Sequence, residues 1–371
     1  MKFKTLLIAA FFIICLILVV WFKQFAGGSY RINQVDFYES TNEWADFQLI
    51  NMSADAAGNY LLIDDPTKPG LLISPPHKTK FSFDEIILSW NCRVEDDGIV
   101  YITISLSPDS SSWYDFNYQT WGDIDRNKLE VPWLESSIKG IGYLDEDIIR
   151  LKKPMKYYRF AIHTFAGKGG WLLFDRATVC YSKTNGSLRD LKRFAPVEYE
   201  ITPVNLAVPY KSQGWLPDSI SGKTCSPTSV GMVLNYYNLD YSTIEVAGAV
   251  YDKYNYIYGN WPYNAQAAYI LGMNRAWIGR HNSFNELAGE LADGKPVVIS
   301  IAIDDNQKLT GAPYKTTEGH LIVVRGFDQN GNVLINDPAA DDIEQGMVTY
   351  DINELTDVWV GHDGIAYHLW R

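Results

Sequence analysis

The strongest constraint on the fold is a change of pattern near residue 200. From about residue 30 to 183 the chain consists of short runs rich in β-branched and aromatic residues, such as EIILSWNCRVE and GWLLFDRATVCY. Turn clusters such as EDDG and AGKGG separate these runs, and no helical periodicity of useful length interrupts them. From about Val204 onward, helical and strand patterns are mixed. We therefore expect two domains, and 371 residues suffice for two separate cores.

The first domain, residues 30–185, is predicted to be an all-β sandwich of the jelly-roll-like kind. Many short strands with turns between them are typical of such sandwiches. In the run EIILSWNCRVE, Leu88, Trp90, Cys92 and Val94 alternate with polar neighbours. This alternation predicts a half-buried strand.

The second domain, residues 204–371, is predicted to be α+β and follows a charged linker at 186–203. Hydrophobic periodicity predicts helices at Pro227–Tyr237, Asn264–Gly272 and Ser283–Ala292. Strand-type runs follow: PVVISIAI, HLIVVRGF, NVLIND and IAYHLW, with a hairpin turn at DQNG. Helices followed by an antiparallel sheet form an α+β arrangement.

The N-terminal segment and the net charge bear on location and partners. Lys2 and Lys4 precede an unbroken apolar run from Leu6 to Phe22, so residues 1–28 are predicted to be a membrane anchor or, alternatively, a cleaved signal peptide. The protein is accordingly expected at the cell membrane with its domains outside, or secreted. The net charge of −12, without a cluster of Lys and Arg, argues against a nucleic-acid partner.

Three cysteines lie outside the apolar run: Cys92, Cys180 and Cys225. A disulfide between Cys92 and Cys180 would leave Cys225 as the lone thiol. In the alternative interpretation, Cys92 and Cys180 are small buried hydrophobic residues. The sequence leaves both interpretations open.

Cys225 lies in KTCSPTSVGMVLNYY, at the predicted start of a helix. A thiol is a useful nucleophile when it is ionised and accessible, and unpaired N–H groups at a helix start favour the negative charge. Pro227 fits the first turn of a helix, so we expect the helix to begin at Cys225. A nearby imidazole would complete the activation by taking the thiol proton.

Among the six histidines, His320 is the best candidate for that imidazole. It opens the strand HLIVVRGF, and Asp337 stands at the end of the next predicted strand. If these strands are hairpin neighbours, the carboxylate can orient the imidazole. The alternatives are a structural role for His320 and a rival base, His362, whose neighbour Asp363 is too close along the chain to be positioned by a strand.

The segments VPYKSQ, TCSPTSVGMVLNYY and GHLIVVRGFDQNGNVLINDP together resemble the C39-like cysteine peptidases, a branch of the papain-like fold. The resemblance covers about residues 204–371. It implies Cys225 as nucleophile, His320 as base, Asp337 as the orienting acid and Gln213 as an oxyanion-hole donor. Gln213 lies twelve residues before Cys225, and Ser212 or a backbone group is an alternative donor.

Ser226 occupies a position where relatives often have glycine, and we expect its hydroxyl to cap the helix. The acidic pairs Asp304-Asp305 and Asp341-Asp342 lack a spaced ligand set, so we expect solvated loops, no metal and no cofactor.

The functional expectation is a cysteine peptidase outside the cytoplasm that cleaves peptide or amide bonds through a Cys-His-Asp triad. Its partner would be a peptide or protein substrate, with cell-wall material as one option. A thiol acyltransferase or amidase would use the same residues. A wall- or carbohydrate-binding protein on a papain-like scaffold is the non-catalytic alternative.

The first domain has two interpretations. SLSPDSSSWYDF resembles a strand–turn–strand segment of galactose-binding-like sandwiches, which implies an accessory module with a carbohydrate ligand. The other interpretation is a spacer that lifts the second domain off the membrane.

Overall fold

A computed structural model describes residues 29–39, 41–94, 97–122 and 134–371. Residues 29–186, the β-rich half, contain twelve described strands and one short helix, α1 (Thr41–Trp44). The strands are β1 (Tyr30–Tyr38), β2 (Gln48–Ile50), β3 (Met52–Ala54), β4 (Leu61–Ile63), β5 (Gly70–Ile73), β6 (His77–Val94), β7 (Ile99–Ser107), β8 (Tyr114–Gly122), β9 (Ser137–Ile138), β10 (Gly142–Asp145), β11 (Ile148–Phe165) and β12 (Leu172–Gly186).

The β-rich half is organised around two strands of 18 residues, β6 and β11. β6 pairs with β11 on one side and with β12 on the other, while β11 also pairs with β5, β7 and β10, all antiparallel. The all-β prediction is confirmed. Because hydrogen bonds join all twelve described strands into one sheet, a sandwich of two separate sheets is not confirmed in detail.

The connection between the halves begins with a short helix, α2 (Leu188–Arg193). A capping box starts it: the Ser187 hydroxyl accepts from the N–H of Asp190, and the Asp190 carboxylate accepts from the N–H of Ser187. Residues 194–203 then continue without regular structure.

Residues 204–371, the C-terminal half, combine helices with a seven-stranded antiparallel sheet in the order β14-β19-β15-β16-β17-β18, with β13 paired to β16. Its elements are β13 (Val204–Asn205), a 3₁₀ turn (Gln213–Trp215), α3 (Asp218–Ser221), α4 (Cys225–Tyr236), α5 (Thr243–Val250), α6 (Trp261–Ile270), β14 (Arg275–Arg280), α7 (Asn285–Ala292), β15 (Val297–Ile303), β16 (Thr317–Phe327), β17 (Val333–Asn336), α8 (Ile343–Gly346), β18 (Met347–Tyr350), α9 (Ile352–Val360) and β19 (Ile365–Trp370).

The predicted helices are present as α4, α6 and α7, and the predicted strands as β15, β16, β17 and β19. The DQNG turn does join β16 to β17, with Gly331 at a φ of 81°. The register pairs Val323 with Asn336, so the first residues of β16 lie beside the residues that follow β17. This register brings the His320 and Asp337 segments together.

The prediction of a half-buried strand at Leu88–Val94 is wrong over most of that run, because β6 is covered on both faces from Glu85 to Cys92. Ser89 and Asn91 are 1% and 0% exposed. The Asn91 amide donates to the Ala276 carbonyl (2.8 Å) and accepts from its N–H (3.2 Å), and the Ser89 hydroxyl accepts from the N–H of Ile278 (3.2 Å). The polar residues of β6 therefore face β14 of the C-terminal half rather than water.

Cys92 and Cys180 are both buried and do not form a disulfide. They lie on neighbouring strands, but Cys92 is opposite Phe174, whereas Cys180 is opposite Ile87. This offset of five positions separates them by about 17 Å along the strand, whereas a disulfide needs Cα atoms within about 7 Å. The structure therefore favours the interpretation as buried hydrophobic residues.

A buried ion network also connects the two halves. Arg280 of β14, whose side chain is 1% exposed, binds the carboxylates of Glu85 in β6 and Asp363. Arg150 of β11 binds the same two carboxylates, at 2.8 Å from Asp363, and also Asp145 at 2.9 Å. The β-rich half contributes Glu85 and Arg150, and the C-terminal half contributes Arg280 and Asp363. Separating the halves would therefore leave unpaired charges on both.

The described helices contradict the predicted location. That prediction placed the protein at the cell membrane through residues 1–28, or outside the cell after their cleavage. In the described part of the chain, none of the helices has the length and apolar character that a bilayer crossing requires. A crossing needs about 20 mainly apolar residues, whereas α4, with 12 residues, is the longest described helix. Residues 1–28 themselves lie outside the described residues.

Replacing Arg280 by alanine should destabilise the protein strongly. The change leaves Glu85 and Asp363 without one of their buried cations, and breaking a buried pair typically costs about 3–5 kcal/mol. Urea unfolding followed by tryptophan fluorescence measures the free energy of unfolding. Lys308→Ala is the control, because Lys308 is 74% exposed in its pair with Glu354 and should cost less than about 1 kcal/mol. Equal losses in the two variants would contradict a stabilising role for the network.

Candidate active site

Cys225 is the first residue of α4, as predicted, and its side chain is half-buried. The backbone N–H groups of Leu321 and Ser226 help to lower the pKa of its thiol. The expected helix cap at Ser226 is wrong: its hydroxyl shares a hydrogen bond with the Tyr367 hydroxyl (3.1 Å). Ser226 is instead buried between α4 and the sheet, because Tyr367 belongs to β19.

His320 interacts with both Asp337 and Cys225. Its Nε2 donates to Oδ1 of Asp337 at 2.8 Å, and the imidazole and the Cys225 thiol shift each other's pKa. Because Nε2 is engaged by the carboxylate, Nδ1 is the nitrogen left to serve the thiol. His320 is 5% exposed and Asp337 is fully buried, so solvent has little access to these two side chains.

Two tyrosines that sequence reasoning missed hold the Asp337 carboxylate. The hydroxyls of Tyr314 and Tyr350 donate to Oδ2 at 2.7 and 3.0 Å. The N–H of Ala339 donates to Oδ1 at 3.0 Å, beside the bond from His320. The Tyr314 ring also meets the His320 ring edge-on, at 4.9 Å between centroids. No sequence pattern marks these tyrosines, because one lies in a loop and the other at the end of β18.

The charges of the three residues support one another. Burial alone would raise the pKa of Cys225, but the hydrogen bond and positive charge of His320 outweigh it, so the pKa is below its ordinary value. Burial would lower the pKa of His320, but Asp337 and Cys225 raise it to about 10. Burial likewise opposes the Asp337 carboxylate, yet His320 and Tyr314 hold its pKa below the ordinary value. The favoured state is a thiolate–imidazolium pair oriented by a carboxylate.

Gln213 lies near Asp337, but no hydrogen bond joins it to Cys225 in the described part of the structure. Its N–H donates to the carbonyl of Pro338 (2.9 Å), the residue after Asp337. Its side-chain oxygen Oε1 is buried and has no hydrogen-bond partner among the described residues. Ser212, the alternative donor, caps the 3₁₀ turn by accepting from the N–H of Gly214 (3.0 Å). The oxyanion role of Gln213 therefore stays a prediction.

The thiol opens into a cleft of about 400 Å³ that both halves of the chain line. The C-terminal half contributes Cys225, Trp261 and the residues just before His320. The β-rich half contributes Arg150 and the turn between β10 and β11. Its lining residues are Asp145, Glu146, Asp147, Ile148, Arg150, Gly222, Lys223, Cys225, Tyr256, Ile257, Tyr258, Gly259, Trp261, Ser300, Glu318, Gly319, Leu321, His362 and Asp363.

The rival base, His362, lines the same cleft but lacks a carboxylate to orient it. The Asp363 carboxylate beside it is engaged by Arg150 and Arg280. Burial, and to a smaller degree these arginines, lower the pKa of His362 below its ordinary value. Among the two histidines of this region, His320 has the hydrogen bonds that a general base needs.

The acidic pairs of the C-terminal half shape turns. An Asp342 carboxylate oxygen accepts from the N–H of Gln345 (2.8 Å) at the start of α8, and Asp304 accepts from the N–H of Asn306 (2.7 Å). In the described ranges, no group of three or more His, Cys, Asp or Glu side chains is arranged to hold a metal ion.

Comparison with known proteins identifies the domain that carries this site. Residues 205–367 match the Peptidase_C39 like family. The resemblance predicted for residues 204–371 is thereby confirmed, and these residues form a domain of the cysteine peptidase type. No curated protein matches the chain.

Solved structures similar to the chain include three peptidases. A protein described as a C39-like peptidase from Bacillus anthracis is 20% identical, with 46% of this chain and 98% of that chain covered and a TM-score of 0.34. A double glycine motif protease from an AMS/PCAT transporter, in complex with its leader peptide, is 21% identical, with 46% and 95% covered and a TM-score of 0.30. The peptidase domain of Streptococcus ComA is 18% identical, with 40% and 92% covered and a TM-score of 0.28.

Iodoacetamide should alkylate Cys225 at pH 7, and His320→Ala should slow that reaction at least about tenfold, since the thiolate is the reactive species. In the variant, burial still disfavours the thiolate, so the rise of the alkylation rate moves to higher pH. Mass spectrometry of the labelled peptide over pH 5–10 measures both profiles.

The other described thiols provide an internal control for this experiment. Cys92 and Cys180 are buried, and burial raises the pKa of Cys180 to about 12. Neither should react in the folded protein, and Cys225→Ser should abolish labelling of the peptide that contains position 225. Identical profiles for the wild type and His320→Ala would contradict the thiolate–imidazolium pair.

Proposed function

We propose that the protein is a cysteine peptidase, a thiol hydrolase that cleaves peptide or amide bonds with Cys225 as nucleophile, His320 as base and Asp337 as orienting acid. The observation that carries this proposal is that His320, hydrogen-bonded to the buried Asp337, lowers the pKa of the Cys225 thiol at the edge of an open cleft. The match of residues 205–367 to the Peptidase_C39 like family supports it.

In the first step, the Cys225 thiolate attacks the substrate carbonyl, and a negative charge develops on the carbonyl oxygen. The N–H of Cys225 at the start of α4 and the side-chain amide of Gln213 are the proposed donors to that oxygen, with Ser212 or a backbone group as the alternative. For Gln213 to act, its amide nitrogen must point into the cleft when substrate binds. Such donors stabilise the transition state because they are oriented before the charge appears.

The proton then moves through His320. The imidazolium gives its Nδ1 proton to the leaving amine, the C–N bond breaks, and a thioester to Cys225 remains. The neutral imidazole next takes a proton from water, and the resulting hydroxide attacks the thioester. The C–S bond then breaks, the carboxylic acid product leaves, and the Cys225 thiolate and His320 imidazolium are restored. Asp337 stays ionised throughout and holds Nε2 of the ring, which keeps Nδ1 directed at the reacting atoms.

The thioester intermediate can also react with an acceptor other than water. If an amine replaces water in the second step, the enzyme is a thiol acyltransferase, and a side-chain amide as substrate makes it an amidase. Adding a primary amine to the assay distinguishes the two routes, because transfer yields an amide product and hydrolysis a free carboxylate.

Cleavage of a peptide library, and of purified cell-wall material, should depend on the thiol. The wild type is expected to produce cleavage fragments, and Cys225→Ala should leave none above background, because Cys225 is the one described cysteine that lines the cleft. Mass spectrometry of the products identifies the bond broken. Cleavage retained by Cys225→Ala would remove the mechanism, and a wild type that cleaves nothing while Cys225 shows no thiolate reactivity would favour the non-catalytic alternative.

Gln213→Ala should lower kcat with little change in KM. Removing one oxyanion donor typically costs about 2.7–4 kcal/mol of transition-state stabilisation, or roughly 10²–10³ in kcat. Steady-state kinetics on the best library peptide measures the effect, with Ser212→Ala as the matched comparison. If Ser212→Ala shows the large loss and Gln213→Ala does not, the donor is Ser212.

A further inference from the structure

One wall of the Cys225 cleft comes from the β-rich half of the chain. Asp145 of β10 pairs with Ile148 of β11, so Glu146 and Asp147 form a two-residue turn at the cleft. The C-terminal half holds this turn directly: Oδ2 of the buried Asp147 accepts from the N–H of Trp261 at 2.8 Å. The turn therefore forms part of the cleft wall and is bonded to the C-terminal half.

Further contacts within the β-rich half hold the turn in place. The Gln119 amide donates to the Glu146 carbonyl (2.8 Å), and the Tyr118 hydroxyl donates to the Asp147 carbonyl (2.6 Å). Arg150 binds Asp145 at 2.9 Å and belongs to the ion network that joins the halves. A turn with these bonds can present a side chain to the cleft in a defined place.

Glu146 is the exposed carboxylate of this turn and has no described counter-ion, whereas Asp147 is buried and bonded to the N–H of Trp261. Among the described residues, no Lys, Arg or His pairs with it, whereas Asp145 is paired with Arg150. Burial, with the charges of Asp145 and Asp252, raises the pKa of Glu146, as expected for a carboxylate without a cation. Its φ of 54° is in the left-handed region, where glycine is the usual residue.

Arg150, the cation of this wall, is already paired with Asp145 and Asp363, so the other unpaired charges of the cleft belong to the C-terminal half. Lys223, two residues before Cys225, is exposed and has no carboxylate partner among the described residues. Glu318, two residues before His320, is exposed and likewise has no described cation partner. Both lie on the C-terminal half, so the cation of Lys223 is placed beside the thiol and not on the turn.

The surfaces near the turn are apolar. Ile257, Tyr258 and Trp261 line the cleft, and Tyr256 at its rim is 76% exposed. Lys and Arg side chains suit such surroundings, because their methylene stems cover apolar surface while the charged end reaches a carboxylate.

We propose that the β-rich half is a specificity element of the thiol site, in which Glu146 pairs with a Lys or Arg side chain of the peptide bound across Cys225. This inference rests on the proposed peptidase function and names the class of substrate: peptides with a basic residue near the bond that is cleaved.

The test compares peptides that carry Lys, Arg, Gln or Glu at each position around the cleaved bond. For the wild type, kcat/KM at one position should favour Lys or Arg over Gln by about fivefold, the upper range for one partly exposed ion pair. Glu146→Gln should remove this preference, and Glu146→Lys should reverse it towards Glu. Glu200→Gln is the matched control, because Glu200 is exposed in the connection between the halves and does not line the cleft.

Binding of the same peptides to Cys225→Ala, measured by fluorescence anisotropy, separates this inference from the proposed function. If basic peptides bind preferentially and Glu146→Gln in the Cys225→Ala background removes that preference, the inference holds even where the wild type cleaves nothing. Cleavage or binding without a basic preference, or a preference that survives Glu146→Gln, overturns it. A preference lost in Glu318→Gln instead would assign the selection to the C-terminal half and also overturn it, and a protein that neither binds nor cleaves any peptide overturns both proposals.

Discussion

The burial of β6 on both faces is the constraint on which the rest of the structure depends. One face packs within the β-rich half, and on the other Ser89 and Asn91 hydrogen-bond to the backbone of β14. A buried polar group that loses its partner costs about 1–3 kcal/mol, so these bonds specify which surfaces meet and in which register. Arg280 adds charge pairing at the same interface. The cleft exists because the two halves meet in this one arrangement.

The second constraint is the buried carboxylate of Asp337. Burying an ionised carboxylate is costly unless its oxygens accept hydrogen bonds and a cation lies nearby. Here the donors are His320, Tyr314, Tyr350 and the N–H of Ala339. Because the donors satisfy both oxygens, Asp337 stays ionised and keeps His320 protonated, which in turn favours the thiolate of Cys225. The charge state of Cys225 therefore depends on residues that do not line the cleft.

Much of the local structure could be predicted from the sequence. Pro227 and the apolar spacing after Cys225 predicted the start of α4, and the DQNG turn predicted the hairpin that brings the His320 and Asp337 segments together. The alternation in β6 correctly predicted a strand, but we expected its polar side chains to face water. Alternation shows which side chains are polar and does not show that they bond to another strand, here β14. The 3₁₀ turn and α3, which precede Cys225, were not predicted, because they are too short to show periodicity.

By itself, the sequence determined the secondary structure around the thiol and the order of the two halves. These follow from local rules, because helix starts, hairpin turns and strand alternation act over a few neighbouring residues. The choice of Cys225, His320 and Asp337 as site residues rested also on the resemblance to a known family, and it stays a prediction. Only the tertiary structure decided that Tyr314 and Tyr350 hold Asp337, that Cys92 and Cys180 are too far apart to bridge, and that the turn at Glu146 forms a wall of the cleft. Each of these involves residues distant along the chain, and their contacts depend on how the two halves pack around β6.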